Sequence, residues 1–322
     1  MGGTGSHEKQ AGLTNRLLLL LLLAVVVVGL AVPGMGIHSP TPFASKHDAS
    51  DPMRHDALIA EGGLPSAKGR PDMAAASLPA FVSQPLPPRL SSGVQPVPSL
   101  FVRHMPNDMA SLPTAEKKQT FIRIVLPLVL QANRDIRREQ LLLERARQRG
   151  NTGQLLKFAQ KYRLDTSLPA DQLLAELDRR VQEIPVSLAL AQAAVESGWG
   201  SSRFTQQGNA LYGQWAWTSE AGIKPLEASN EKAVIRSFPS LFASVRAYMT
   251  NLNSHWAYAD FRAARYAIIQ AGDKPSGRDL TAYLSVYAET REDYVTLLNE
   301  MIIQNNLNAL DAARLIAPNR TS

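Results

Sequence analysis

The chain has 322 residues, of which 45% are apolar and 19% charged, so it is long enough to bury a core in one or two folded units. Its 34 Lys and Arg exceed its 28 Asp and Glu by six, a weak excess that would suit nucleic acid, a lipid surface or an acidic polymer. Because the chain contains no cysteine, disulfides, thiolate metal sites and cysteine nucleophiles are excluded.

The first marked feature along the chain is Leu17–Val32, an almost entirely apolar run that contains seven consecutive leucines. With the residues up to 36 it approaches the ~20 residues that span a bilayer. Lys9 and Arg16 precede it, and basic residues stay on the cytoplasmic side of a membrane. We therefore predict a cytoplasmic segment over residues 1–16 and a single-pass transmembrane signal anchor over residues 17–36 of the inner (cytoplasmic) membrane. Removal of the run as a cleaved signal peptide is the alternative.

Proline divides the rest of the chain, because 13 of the 21 prolines lie between residues 37 and 113. This stretch carries as many basic as acidic residues and shows no apolar periodicity long enough to bury a face. We interpret residues 37–113 as a Pro-rich, disordered linker that carries a folded domain away from the bilayer. The folded domain is predicted over residues 114–322.

From residue 114 the spacing of apolar residues becomes helical. Thr114 is predicted to cap the first helix, and Pro127 to kink or break it. An Arg-rich continuation follows, which we interpret as a solvated face paired with nearby acidic residues rather than as a polymer-binding surface. Another amphipathic helix is predicted over residues 170–184.

Residues 185–200 predict an Ala-rich helix that packs closely against its neighbours. Pro185 suits the first turn, and Gly198 can adopt the left-handed conformation that ends such a helix. Glu196 then lies in the last turn, beside Trp199. A carboxylate at the negative end of a helix dipole and next to apolar side chains should have its pKa raised. Such a group can stay protonated near neutral pH and serve as a general acid.

The region after Gly198 is predicted to hold a small β lobe between helices. Ser201 is expected to cap a short helix that ends at Gly208. Strands are predicted over residues 210–217 and 233–238, joined by a loop over 218–232, and further helices over 239–253, 257–271, 279–287 and 292–304. The chain is therefore predicted to be α+β and predominantly helical, with two lobes that meet near Glu196.

Aromatic residues are concentrated in the same part of the chain, since all four Trp and all eight Tyr lie between Tyr162 and Tyr294. Amphipathic rings can cover the apolar faces of sugars, although core packing explains most of these residues equally well. Trp215 and Trp217 would share one strand face. If that face points into the lobe they are core residues, and if it faces the cleft they line a sugar subsite.

Two motifs carry a resemblance to a known family: Ala-x-Ala-Ala-Val-Glu-Ser-Gly-Trp-Gly-Ser-Ser-Arg-Phe over residues 191–204 and Gly-Asn-Ala-Leu-Tyr-Gly-Gln-Trp over residues 208–215. Together with residues 243–253 they resemble the glucosaminidase family of bacterial wall hydrolases, in its Bax-like branch. The resemblance covers about residues 114–315 and implies a lysozyme-like, two-lobed fold that cleaves peptidoglycan glycan strands as an endo-β-N-acetylglucosaminidase. It implies that Glu196 is the general acid, and with the anchor it places the domain at the periplasm or cell wall.

The resemblance also suggests residues around the acid. Tyr287 is a further catalytic candidate, because Tyr287-Ala288-Glu289-Thr290 is similar to a family motif that often has Thr-Asp at the last two positions. Its hydroxyl could orient the acetamido group of a sugar or stabilise charge. The substrate-binding candidates come from the two motifs and are Trp199, Asn209, Tyr212, Gln214 and Trp215.

Glycoside hydrolysis commonly uses a second carboxylate. The loop 218–232 offers Glu220, Glu227 and Glu231, of which Glu231 ranks first because it immediately precedes the second predicted strand. All three could equally be surface charges. A substrate-assisted route, with the 2-acetamido oxygen as internal nucleophile, would need none of them.

No metal or cofactor is expected. Five of the six His precede residue 114, which leaves His255 alone in the predicted domain, and the chain has no His-Glu-x-x-His and no Gly-rich nucleotide loop. Nucleic acid and nucleotides are therefore not expected as partners, whereas peptidoglycan and, through the N-terminal helix, the membrane are. The alternative function is a noncatalytic peptidoglycan-binding or scaffold protein on the same fold. The sequence leaves open which glycosidic bond is cut.

Overall fold

The computed structural model describes residues 86–216, 222–224, 234–287 and 291–316, which all belong to one unit of the chain, Pro71–Ser322. The predicted cytoplasmic segment, the anchor over 17–36 and the linker up to residue 85 lie outside the described residues. Within the described ranges, no helix is long and apolar enough to cross a membrane.

Helices dominate the described residues, which agrees with the predicted α+β, mostly helical class. The α-helices are α1 (Thr114–Gln148), α2 (Thr152–Lys161), α3 (Ala170–Arg180), α4 (Val186–Ser197), α5 (Arg203–Gly208), α6 (Leu241–Ser254), α7 (Ala259–Gln270), α8 (Gly277–Leu280) and α9 (Arg291–Gln304). Three 3-10 helices accompany them, over Trp256–Tyr258, Thr281–Tyr287 and Leu307–Leu310.

Two small sheets complete the described fold. Strands β2 (Trp215–Ala216), β3 (Gly222–Ile223) and β4 (Val234–Arg236) form an antiparallel sheet in the order β2-β4-β3. Two strands were predicted for this lobe, and the structure adds a third, β3, which lies within the predicted loop 218–232. Strands β1 (Pro96–Pro98) and β5 (Arg314–Ile316) pair in parallel, far apart in sequence.

The segment that precedes α1 is folded onto the domain, so the prediction of a disordered linker is wrong for its described part. Val97 and Met109 are fully buried there. The backbone N–H of Leu241 donates to the carbonyl of Arg103 at 3.0 Å, and Gln206 Nε2 donates to the carbonyl of Pro106 at 3.0 Å. The domain boundary therefore lies before residue 114.

Prolines do not prevent β1 from pairing, because its hydrogen bonds use no proline N–H. Arg314 N donates to the carbonyl of Gln95 at 2.9 Å, and Ser99 N donates to the carbonyl of Ile316 at 2.9 Å. The two prolines of β1 lie between these contacts, on an edge strand where a missing donor is tolerated.

Helix α1 runs unbroken through Pro127, so the predicted break at this residue is wrong. Leu126 and Leu128 on either side are fully buried. Burial of each such side chain is worth about 1.5–3 kcal/mol, which offsets the ~3 kcal/mol that an internal proline costs a helix. At the start of α1, Pro113 rather than Thr114 occupies the N-cap position.

Other predicted boundaries move by a few residues. Ser202 rather than Ser201 caps α5, with its Oγ accepting from Thr205 N at 3.2 Å. The helix predicted over residues 170–184 ends at Arg180, and the one predicted over 279–287 is a short α-helix followed by a 3-10 helix.

Helix α4 is the central helix of the described domain and packs against α1, α8, α9 and the 3-10 helix Leu307–Leu310. Its small side chains allow these close approaches. Asp311 accepts hydrogen bonds from Ser187 N at 2.8 Å and Ser187 Oγ at 2.7 Å, which fixes the N-terminal end of α4. At the other end Gly198 has φ 56° and ψ 46°, the predicted left-handed cap. Helix α4, whose last turn carries Glu196, is therefore fixed at both of its ends.

Candidate active site

Glu196 lies in the last turn of α4 and is partly buried. Its two carboxyl oxygens have different surroundings. Oε1 accepts a hydrogen bond from Tyr294 Oη of α9 at 3.0 Å. Oε2 faces Gly213, where an added Cβ would lie 3.7 Å from it, and it has no hydrogen-bond partner among the described residues. Oε2 is therefore the oxygen that is open to a ligand.

Burial raises the pKa of Glu196 from 4.5 to about 7, and the hydrogen bond from Tyr294 acts in the opposite direction. Burial disfavours the charged carboxylate, whereas a donor to that carboxylate favours it. The predicted direction of the pKa shift is confirmed. Its main cause is burial rather than the negative end of the helix. At neutral pH a large fraction of Glu196 is thus a carboxylic acid.

A chain of buried polar groups lies behind Glu196. Tyr248 Oη of α6 donates to Gln192 Oε1 at 2.5 Å, and Gln192 Nε2 donates to Tyr294 Oη at 3.0 Å. The ring of Tyr212 stacks on that of Tyr248, with centroids 3.8 Å apart and planes 3° from parallel. Burial raises the pKa of the Tyr212 and Tyr248 hydroxyls above the ordinary range, so these groups stay protonated.

The sequence prediction did not single out Gln192, Tyr248 or Tyr294 as site residues. One signal was available for Gln192. It is a polar residue in an Ala-rich helix, and it precedes Glu196 by four positions. Residues spaced by four lie on the same helix face. Tyr248 lies within residues 243–253, which carry part of the family resemblance, and Tyr294 follows the Tyr287 motif, but no local pattern links either tyrosine to Gln192, which they follow by 56 and 102 residues.

Three of the predicted substrate-binding residues lie in the segment that faces Glu196. Tyr212 is fully buried and supports the site through its stack on Tyr248, so it does not line an open cleft. Gln214 and Trp215 are partly buried, and Gln214 Oε1 and Trp215 Nε1 have no hydrogen-bond partner among the residues that the structure describes. The ring of Trp215 packs against the small cluster of Ala210, Ile235 and Phe238, as the core alternative for this residue predicted.

Trp199 follows the cap of α4 with a positive φ of 57° and contacts α1. Its ring meets that of Phe121 edge to face at 5.5 Å, and Lys118 Nζ lies 5.0 Å from its centroid. At least part of this predicted sugar-binding ring is therefore covered by the protein.

Asn209, another predicted substrate-binding residue, has its side chain engaged at both ends. Its Nδ2 donates to the carbonyl of Phe238 at 2.9 Å, and its Oδ1 lies 3.1 Å from Nδ1 of His104. It also ends α5 in the left-handed conformation, with φ 52°. Asn209 therefore holds the turn after α5 in place, and both polar atoms of its side chain already contact other described residues.

The remaining predicted site residues are not placed by the structure. Tyr287 ends the 3-10 helix Thr281–Tyr287, which packs against α9, but its side chain lies outside what is described. Trp217 and the three loop glutamates Glu220, Glu227 and Glu231 also lie outside the described residues. The part of the chain that is described contains no group of three or more His, Asp or Glu that could hold a metal ion.

Comparisons with known proteins agree with the motif around Glu196. Residues 172–307, which contain Glu196, Gly213 and Tyr294, match the family model described as "Glucosaminidase: Mannosyl-glycoprotein endo-beta-N-acetylglucosaminidase". "Protein bax" of Escherichia coli (strain K12) is 29% identical over 199 residues, which cover 59% of this chain and 70% of that protein. No solved structure matches the chain, so the lysozyme-like arrangement stays a prediction. Over residues 172–307 the chain thus matches the glucosaminidase family model, and its similarity to "Protein bax" agrees with the Bax-like branch of that family.

Proposed function

We propose that this protein hydrolyses the glycan strand of peptidoglycan as an endo-β-N-acetylglucosaminidase, with Glu196 as the general acid. The match of residues 172–307 to the glucosaminidase family model supports glycoside hydrolysis as the class of reaction. The observation that carries the proposal is the state of Glu196: burial raises its pKa to about 7, Tyr294 holds one oxygen, and the other is open. A general acid needs a pKa near the working pH and an oxygen that can reach the leaving group.

In this mechanism the proton of Oε2 passes to the glycosidic oxygen as the bond to the anomeric carbon breaks. Glu196 is left as a carboxylate, which the hydrogen bond from Tyr294 stabilises. The positive charge that develops on the sugar is met by a second group. That group is either a carboxylate of the loop 218–232, with Glu231 ranked first, or the 2-acetamido oxygen of the substrate. Water then completes hydrolysis, and its proton returns to Glu196.

We also propose that the domain acts outside the cytoplasm. The apolar run Leu17–Val32, preceded by Lys9 and Arg16, would anchor the chain in the inner membrane with the folded domain at the periplasm or cell wall. Sequencing of the mature N-terminus from the native host tests the anchor. A mature chain that starts near Val32 would show a cleaved signal and contradict the anchor, while leaving export intact.

Clearing of purified peptidoglycan suspensions tests the proposed activity. The assay compares wild type, Glu196→Gln and the control Glu144→Gln at equal folded concentration, with pelleting to measure binding. Glu144 is exposed on α1 and pairs with Arg147 and Gln148, so its amide variant reports the effect of losing a surface carboxylate. General acid catalysis contributes about 10²–10⁴-fold, so Glu196→Gln should lose at least that factor while still binding.

Two results would contradict this function. Clearing by Glu196→Gln at the wild-type rate would refute the assignment of the acid. Binding without clearing by every form would favour the noncatalytic scaffold. Mass spectrometry of the released muropeptides then identifies which sugar carries the new reducing end.

A further inference from the structure

The hydrogen bonds behind Glu196 run in one direction, from Tyr248 through Gln192 and Tyr294 to Oε1. We propose that Gln192 and Tyr248 are positioning residues, which orient the Tyr294 hydroxyl toward Oε1 and so keep the transferable proton of Glu196 on Oε2. This inference rests on the proposed function in one respect, since it takes Oε2 as the oxygen that protonates the leaving group. We refer to Tyr248, Gln192 and Tyr294 as the relay.

The direction of the relay follows from the number of protons that each group can donate. A tyrosine hydroxyl has one proton, and that of Tyr248 goes to Gln192 Oε1. The amide nitrogen of Gln192 therefore faces Tyr294 and donates to its Oη. Because Tyr294 Oη accepts there, its own proton points to Oε1 of Glu196. In a protonated carboxyl the carbonyl oxygen is the stronger acceptor, so a donor at Oε1 favours the acidic proton on Oε2.

Reversal of the Gln192 amide would undo this arrangement. The amide oxygen would then face Tyr294 and accept a hydrogen bond from its hydroxyl. Tyr294 would no longer donate to Glu196. Tyr248 would accept from the reversed amide, and its own proton would lose its acceptor in a buried site. An unsatisfied buried donor is unfavourable, because no water replaces the acceptor that it loses. Tyr248 therefore fixes the orientation of Gln192, and through it that of the Tyr294 hydroxyl.

All three relay residues are buried, which makes the orientation of each donor costly to change. Gln192 is fully buried, and Tyr294 and Tyr248 are exposed by only 1% and 2%. The stack of Tyr212 on the ring of Tyr248 holds that ring in place. In such an environment each hydrogen bond is stronger than in water, and a missing partner is not replaced by solvent.

Few other described groups could perturb Glu196. The titratable groups that face it are Tyr294 of α9, Tyr248 of α6 and Tyr258 of the 3-10 helix Trp256–Tyr258. Lys118 of α1 lies over the ring of Trp199 and donates a hydrogen bond to Asn305. Asp311, which follows the 3-10 helix Leu307–Leu310, binds the opposite end of α4. Neither charge contributes to the pKa shift of Glu196. Among the described residues, the polar contact to Glu196 is thus the hydrogen bond that Tyr294 donates, and the direction of that bond depends on the relay.

The test is a pH titration of the Glu196 carboxyl by NMR, in full-length protein with ¹³C-labelled glutamate side chains. Glu196→Gln assigns the signal, whose midpoint in wild type should lie at about 7. Tyr294→Phe removes the donor to Oε1 and should raise the midpoint by about one unit. Tyr248→Phe keeps the ring stack and Tyr294, but it frees the Gln192 amide to reverse. It should raise the midpoint in the same direction, by about half a unit.

The control is Tyr162→Phe, which removes another buried tyrosine hydroxyl, one that donates to Glu139 at 2.9 Å away from the site. It should lower stability as Tyr248→Phe does and leave the Glu196 midpoint unchanged. A midpoint that moves in Tyr294→Phe but not in Tyr248→Phe would overturn the relay. So would an equal shift in Tyr162→Phe.

The titration needs no substrate, so it decides the relay even if wild type fails to clear peptidoglycan. If wild type is active, the alkaline limb of its kcat/KM profile should move upward in Tyr248→Phe by the same amount as the NMR midpoint. A limb that stays in place while the NMR midpoint moves would contradict the role of Glu196 as the acid and leave the relay standing.

Discussion

Met105 packs directly against Gly200, so closely that a Cβ added to the glycine would lie 2.9 Å from Met105 Cε. Gly200 has φ +80° and is the last residue of the Glu-Ser-Gly-Trp-Gly motif, four residues after Glu196. Met105 is only 4% exposed and belongs to the segment that precedes α1. This segment therefore supports the turn that follows the helix of Glu196.

We expect a fragment that starts at residue 114 to be much less stable than one that starts at residue 86. The longer fragment keeps strand β1 and five buried apolar side chains that the shorter one lacks: Val97, Phe101, Val102, Met105 and Met109. Burial of each is worth about 1.5–3 kcal/mol, so the free energy of unfolding should fall by roughly 5 kcal/mol or more. Urea unfolding of the two fragments measures the difference. Equal midpoints would show that residues 86–113 do not contribute to the fold.

Sequence patterns did not predict this segment because what orders it is distant in the chain. The proline content of residues 86–113 is typical of a linker, and no local periodicity contradicts that interpretation. The strand forms only because Arg314–Ile316 supplies the partner edge. Pro127 shows the same limit, since its local preference to break a helix is overridden by the burial of its neighbours.

Around the site, what could be predicted was encoded locally. The end of α4 at Gly198 follows from residues within one turn, and the direction of the Glu196 pKa shift was predicted from its apolar neighbours, although its main cause is burial. The partnership of Glu196 with Tyr294 spans 98 residues and depends on how α9 packs against α4. Asn209 illustrates the opposite error, because a polar residue inside a functional motif is occupied in holding a turn.

Gly213→Ala should lower activity by at least tenfold, in addition to a loss of stability similar to that of Gly150→Ala. Gly213 has φ +58°, and the new methyl would lie 3.7 Å from Glu196 Oε2, where the leaving group must approach. The positive φ alone costs about 1–2 kcal/mol for a residue with a Cβ. Gly150→Ala is the matched control, because Gly150 has φ +60° and nothing within 4 Å of an added Cβ. Clearing rates and thermal midpoints of both variants check the prediction. Equal activity in the two variants would show that Oε2 does not face the leaving group.

Glu196→Gln should be more stable than wild type above pH 7 and equally stable at low pH. Burial raises the pKa of Glu196 from 4.5 to about 7, so the folded state binds more protons than the unfolded state between these values. The stability of wild type therefore falls as pH rises through this window, and the variant lacks that loss. The difference should reach about 3 kcal/mol above pH 7. Denaturant unfolding of wild type and Glu196→Gln at pH 4, 6 and 8 measures the difference. A constant difference for Glu196→Gln would mean that the pKa of Glu196 is not raised.

The last prediction concerns the second catalytic group, for which Glu231 is the first candidate. Glu231 lies three residues before Val234, whose strand pairs with Trp215–Ala216, the segment that follows Gly213 beside Glu196. Glu231 is ranked first because the strand that follows it pairs directly with this segment. If it serves as base or stabilises the charged sugar, Glu231→Gln should lose at least ~10²-fold in clearing rate, while Glu220→Gln and Glu227→Gln lose less than about tenfold. The same three variants are assayed on chitooligosaccharides with and without their N-acetyl groups. Near-normal rates for all three variants on the acetylated oligomer, with none on the deacetylated one, would instead identify the acetamido oxygen as the nucleophile.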